Sequence, residues 1–309
     1  RDLVRSRGLG DVYKRQRYGR FERTFLLFSI PLMGQAIANL VVSKAHTLVL
    51  GIFYSEAAVG VYSTVVQMAG YLSMITMAFG FIYVPVLSSL VALRDRFAIA
   101  RGYRVMTKWL FAAVGPLMVM LFFFPSQIIN LLFGSEYVTG AAALRILALV
   151  GIPYGMFGPA LYTLISLGRT RDIFWTAMAF AGVNLILCFT LIPPYGMVGA
   201  AAAFFLSAIF YRGLMVLLLR NTAGPFCAKN LKIMGFTLAS TSFILAYPAL
   251  NASSFAWWWP FLAIATTYAM LAVSLYIFKG VEREDMALAE QVSVKTGIPL
   301  SGLLKILAR

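Results

Sequence analysis

The chain is short of charge. Only 12% of its 309 residues are charged, about half the share of an ordinary soluble domain. It holds one histidine, His46, and two cysteines, Cys188 and Cys227. A single histidine excludes a two-histidine metal site, and the cysteines lack zinc-ligand spacing. One cysteine falls within an apolar segment and the other in a connection, which argues against a mutual disulfide; both read as small packing residues. No Walker-type glycine loop occurs, so nothing marks an ATP site. No cofactor or metal is expected.

What the chain has in abundance is apolar surface, at 61% of residues. A soluble fold has nowhere to hide that much, so lipid must cover part of it. The net charge of +15 would suggest nucleic acid in a soluble protein. In a membrane protein basic residues orient the helices instead, and no nucleic-acid partner is expected.

Residues 1–16 are set aside from fold reasoning. The run Asp11-Val-Tyr-Lys-Arg-Gln16 is what the end of a transposase-type sequencing adapter becomes when translated, and Ser6 to Gly10 continue it upstream. The native sequence is expected to begin near Arg17, partway into a gene.

A helix needs about 20 apolar residues to cross the hydrocarbon. Eight segments qualify: 25–52, 61–91, 105–124, 141–167, 173–192, 197–219, 233–249 and 256–278. They are too long and too uniformly apolar for barrel strands, which predicts an all-α membrane protein of about eight transmembrane helices. With residues 1–16 removed, 18 of the remaining 21 basic residues lie before the first span or after the second, fourth, sixth and eighth. The other connections contain none. They hold Glu56, Glu136, the Pro193-Pro194-Tyr195-Gly196 turn and residues 251–254. This alternation predicts a multi-pass protein of the cytoplasmic membrane with both ends cytoplasmic. Residues 281–309 mix Glu282, Glu284, Asp285 and Glu290 with apolar residues and a break at Pro299. They read as a short amphipathic cytoplasmic tail, lying on the membrane or docked on the protein.

Polar groups inside spans are costly in lipid and tend to mark a pathway or a partner. The first span is the richest. At 100° per residue Gln35, Asn39 and His46 fall within about 40° of one another, flanked by Ser43, while Lys44 points about 180° away. Gln35 and Asn39 suit either helix-packing hydrogen bonds or a cavity wall. His46 suits an interhelical hydrogen bond or the same wall. Lys44 either snorkels to the outer headgroups or faces water. Arg145 lies near the outer end of the fourth span. Arg212, in the sixth, either reaches the cytoplasmic headgroups or lines an aqueous cavity. Gln67 and Asn184 are single polar groups in the second and fifth spans. If Lys44, Arg145 or Arg212 faces a cavity, it attracts an anion, most obviously a phosphate or pyrophosphate.

Several motifs together resemble the polysaccharide flippases of the MATE-like (MOP) superfamily, the Wzx-type O-antigen and teichoic-acid exporters. They are Phe28-Ser-Ile-Pro-Leu32, Ser43-Lys-Ala-His-Thr-Leu-Val-Leu-Gly51, Val59-Gly-Val-Tyr-Ser63, Leu132-Phe-Gly-Ser-Glu-Tyr137 and Leu191-Ile-Pro-Pro-Tyr-Gly-Met-Val-Gly-Ala-Ala201. Their order and spacing cover most of 17–309. The resemblance implies a C-terminal six-helix lobe over 17–220, two additional transmembrane helices over 221–280, and a missing N-terminal lobe of six helices as partner. It implies flipping of a lipid-linked oligosaccharide by alternating access, with membrane lipids around the protein and cationic side chains holding the lipid diphosphate. Gln35, Asn39, His46, Lys44, Arg145 and Arg212 are the candidate substrate-binding residues; no catalytic residue is expected. The family often has an acid where His46 stands, which puts any ion coupling carried by that acid in doubt. The alternatives are a MATE-type drug/cation antiporter, which wants a buried carboxylate that none of the predicted spans supplies, and a membrane-embedded enzyme of the glycan pathway, which wants clustered acids or histidines.

Overall fold

A computed structural model describes residues 18–220, 228–251 and 259–280. The adapter-like segment, Cys227 and the tail 281–309 lie outside the described residues. Within them the fold is all helical: α1 Tyr18–Phe53, α2 Glu56–Ala92, α3 Arg96–Phe123, α4 Pro125–Phe133, a 3-10 turn Ser135–Gly140, α5 Ala141–Ala148, α6 Gly151–Phe157, α7 Pro159–Ser166, α8 Thr170–Leu219, α9 Ala228–Asn251 and α10 Trp259–Ile277.

Local chemistry sets the ends. The Ser55 side chain accepts the Ala58 N–H at the start of α2, and Asp95 Oδ1 accepts the Ala98 N–H at 2.9 Å at the start of α3, as N-caps should. Six stretches are long and apolar enough to cross a bilayer: 25–53, 56–92, 96–123, 135–157, 170–219 and 259–277. At 1.5 Å per residue the 36-residue α1 runs about 54 Å, well beyond the hydrocarbon thickness of about 30 Å. A tilted or bent passage follows, and α1 and α2 carry Pro31 and Pro85, where a backbone bond is lost.

The 50-residue α8 is two predicted spans, not one. Gly196 has φ 56° and ψ −130°, and the chain reverses there. Residues on opposite sides of this point meet: Phe180 stacks on Tyr211 at 4.5 Å, Asn184 bonds Ser207, and Arg169 donates to the Leu218 carbonyl at 2.7 Å. The arms 170–195 and 197–219 are therefore antiparallel, and the Pro193 to Gly196 turn lies where the sequence placed it. The Tyr54 hydroxyl closes the turn by donating to the Pro193 carbonyl at 3.0 Å.

The predicted fourth span, 141–167, is realised as α5, α6 and α7 in succession. The joins at Leu149–Val150 and Gly158 keep right-handed helical backbone angles. Pro153 and Pro159, which cannot donate to the ladder, sit just beyond these joins. With α8 counted as two arms, the six long apolar stretches give seven passes among the described residues; α9, over the predicted seventh span, is not one of those stretches. Residues 125–140, expected as a connection between the third and fourth spans, contain α4 and the 3-10 turn, with Pro125, Ile128 and Ile129 turned inward and Leu131, Leu132 and Phe133 outward.

α3 is the hub. Leu110, Val114, Met118 and Leu121 are buried against α2, α5, α6 and the last helix pair. α1 is the opposite case: it packs chiefly on α8, and Ile37, Leu40, Leu48 and Ile52 stay exposed. The final pair is held together by a hydrogen bond of 2.9 Å between Thr237 and Ser274. It is attached to α3 by apolar packing of Phe111 with Ile233, Met234, Leu271 and Leu275, and by two polar contacts: buried Lys108 donates to the Gly280 carbonyl at 2.7 Å, and Asn230 Nδ2 donates to the Arg104 carbonyl at 2.9 Å. A lysine at a helix C-terminal carbonyl also complements the helix dipole.

The reversal depends on glycine. A Cβ at Gly196 would sit 3.1 Å from the Tyr54 ring, in a backbone region closed to other residues. Gly196→Ala is expected to cost about 1–3 kcal/mol, read as a lowered unfolding temperature in detergent. Gly213→Ala on the second arm, where a Cβ meets open space, should cost nothing. Equal behaviour of the two variants would refute the hairpin.

Candidate functional site

A cavity of about 360 Å³ opens between α1, α2, the α5–α7 run and both arms of α8. α1 supplies Asn39, Ser43 and His46; α2 supplies Tyr62, Gly70 and Ser73; Tyr154 comes from α6, and Phe204, Tyr211 and Arg212 from the second arm of α8. The helical arithmetic for α1 holds in three dimensions. Asn39 and His46 share the cavity wall, and Gln35 sits one turn along the same face, beside Tyr211. Lys44 is exposed on the other side of α1.

Arg212 does not reach out to headgroups. It is 8% exposed and faces the cavity. Its guanidinium lies 4.9 Å from the centre of the Tyr154 ring and 5.8 Å from that of Tyr211, and Nη1 donates to the Gly158 carbonyl at 3.4 Å. Among the described residues no carboxylate pairs with it, and no acid lines the cavity. Aromatic faces offset part of the cost of burying this cation, about 0.5–2 kcal/mol each, but isolated charge remains expensive. Three buried polar atoms of the cavity lack a hydrogen-bond partner: the Tyr62 and Tyr211 hydroxyls and Arg212 Nε. Two hydroxyls and a fixed cation, with no anion in the wall, form an environment suited to an acceptor-rich, negatively charged guest.

Above Arg212 the wall is closed by a satisfied network. His46 Nε2 is 3.2 Å from Asn184 Nδ2, which also donates to Ser207 Oγ at 2.8 Å. The Cys188 thiol donates to Asn184 Oδ1 at 3.6 Å, and Ser207 donates to the Phe204 carbonyl at 3.0 Å. The Phe204 ring meets the imidazole edge-on at 5.1 Å. One asparagine thus binds α1 to both arms of the hairpin.

Of the six candidate residues the structure brings Asn39, His46 and Arg212 into one cavity and sets Gln35 beside it. Lys44 and Arg145 are placed elsewhere. Arg145 is exposed, and its Nε donates at 3.2 Å to the Phe122 carbonyl in the last turn of α3, where it caps that helix. Gln67 is exposed on α2. Tyr62, Tyr154 and Tyr211 escape sequence reasoning because tyrosine is ordinary in an apolar helix. Tyr62 does lie inside the Val59 to Ser63 motif, the one available signal. Among the described residues no cluster of three or more metal-ligating side chains occurs.

His46 and Asn184 should be energetically coupled. A double-mutant cycle with His46→Ala and Asn184→Ala is expected to give about 0.6–1.7 kcal/mol of interaction, the range for hydrogen bonds between membrane helices. Asn184→Ala alone should destabilise more than Ser207→Ala, since it releases three partners. Strictly additive unfolding energies would remove the network.

Comparison with known proteins places this geometry. Residues 16–142 match the family described as polysaccharide biosynthesis protein. An uncharacterised membrane protein of Methanocaldococcus jannaschii is 30% identical over 132 residues, 42% of this chain and 26% of that protein. The fold matches the lipid II flippase MurJ in an inward closed conformation, with a TM-score of 0.65 and 16% identity over 85% of this chain and 55% of that one. The chain thus spans about half of the flippase it matches. The likeness to a polysaccharide biosynthesis family thus holds over residues 16–142, and the fold over most of the chain is that of the flippase structure.

Proposed function

We propose that this chain is the C-terminal part of a flippase that moves a lipid-linked oligosaccharide across the cytoplasmic membrane by alternating access. The carrying observation is the cavity of α1, α2 and α8, where buried Arg212 faces open space with no acid beside it. The polar head of a lipid-linked sugar offers phosphate oxygens to Arg212, Tyr62 and Tyr211, and hydroxyls to Asn39 and Ser43, while the lipid chain stays in the bilayer. The six passes over 17–220 form one lobe, the pair within 221–280 packs on α3, and the transport path is completed by a preceding six-helix lobe. The family match and the flippase fold favour a transporter over an enzyme. The cation-antiporter reading is weaker because it wants a carboxylate in the cavity, and the described wall has none.

Losing a charge-assisted hydrogen bond costs about 1.5–3 kcal/mol, a factor of roughly 10 to 100. In cells whose surface polysaccharide depends on this protein, Arg212→Gln should lower the polysaccharide at least about tenfold at normal membrane abundance. Lys44→Gln and Arg145→Gln should leave it within about twofold. Undiminished polysaccharide in Arg212→Gln would take the cation out of the path.

Orientation has its own test. In a background lacking native cysteines, a membrane-impermeant thiol reagent applied outside should label Glu56→Cys and Glu136→Cys and spare Arg101→Cys and Arg171→Cys. The reverse pattern would invert the protein and the direction of transport with it.

A further inference from the structure

We propose that His46 and Asn184 link occupation of the cavity by an anion to the uptake of one proton, held on His46 while the anion is bound. This rests on the anion reading above and adds how the site is regulated.

The network fixes its own hydrogen positions. The Ser207 hydroxyl proton is committed to the Phe204 carbonyl, so Ser207 Oγ can only accept from Asn184. Asn184 must then present its NH2 group to Ser207, which leaves its carbonyl oxygen for the Cys188 thiol. The same NH2 group faces His46 Nε2. Nε2 therefore carries the lone pair, and the ring proton is on Nδ1, in keeping with a hydrogen bond between the ring and the Ser43 backbone. In this state the imidazole is neutral and every member of the network is satisfied.

Adding a proton at Nε2 sets N–H against N–H. The mismatch is relieved when the Asn184 amide turns over. Its oxygen then accepts from His46 Nε2 and from the Ser207 hydroxyl, which leaves the Phe204 carbonyl, and its NH2 faces the weakly accepting Cys188 sulfur. The amide thus has two positions, one for each charge on the ring. The proton comes from water and returns there when the ring is neutral again.

Charge in the cavity decides between them. The titratable and charged groups around His46 are Tyr62 from α2, Tyr154 from α6, and Cys188, Tyr211 and Arg212 from α8. Lys44 on α1 is exposed on the opposite side. None is a carboxylate, and the one cation, Arg212, lines the same cavity as His46. An anion seated between Arg212 and His46 reverses that sign and gives the imidazolium a counter-charge. By linkage, whatever favours the proton when the anion binds also tightens the anion when the proton binds.

His46 is the chain's single histidine, so nitrogen-15 histidine labelling gives one unambiguous imidazole. The probe is inorganic sulfate, which does not titrate near neutral pH, added to the full chain in lipid nanodiscs. Without sulfate the nitrogen spectrum should show an Nδ1–H neutral ring; saturating sulfate at the same pH should convert it to the imidazolium. Sulfate affinity should rise about tenfold per unit fall in pH across the range where one proton is taken up. His46→Gln should flatten this dependence at the weaker affinity that the unsubstituted protein shows at high pH. Sulfate that binds while the ring stays neutral overturns the proton link and leaves the anion site standing. No sulfate binding by the unsubstituted protein, at any pH, overturns both readings. The spectra use the unsubstituted chain, so they decide even if His46→Gln does not fold.

Discussion

In hydrocarbon a buried polar atom has only the protein to bond to, and the architecture follows from that constraint. Serine and threonine hydroxyls along the helices turn back on carbonyls three or four residues earlier, as at Thr76, Thr107 and Thr237. Lys108 ends on a helix-terminal carbonyl and Arg145 on another. Six buried side-chain atoms keep bonding capacity unused among the described residues, and three of them, on Tyr62, Tyr211 and Arg212, line the cavity. Sites that hold such unmet capacity trade stability for recognition.

The hairpin is what concentrates these groups. Because the chain reverses at Gly196, residues a dozen positions on either side become neighbours, and Asn184 meets Ser207 just as Phe180 meets Tyr211. α1 then lays its polar face along the groove between the arms. Half of the wall therefore depends on the packing of one helix on one hairpin, α1 on α8.

The passes were legible because the apolar runs are long and the basic residues alternate, signals that rest on bulk transfer energy and not on packing. The polar face of α1 was legible from helical phase alone, and Asn39 and His46 lie on the cavity wall as the phase requires. The cations were not sorted by sequence. Lys44, Arg145 and Arg212 all sit in apolar stretches of sequence, and only the course of neighbouring helices decides which ends on a carbonyl, which lies on the outer surface and which faces a void. α4 was missed because an eight- or nine-residue helix gives too short a periodic signal to stand out from a loop. The partners of Asn184 were missed because they lie on separate passes, joined only by the fold.

The tie from Lys108 to Gly280 crosses 172 residues of sequence. Its acceptor is made long after its donor. During synthesis α3 is made well before α10 and the Gly280 carbonyl that receives the Lys108 amine. The α9–α10 pair therefore acts as a keystone: the packing around α3 is complete only once that pair has arrived.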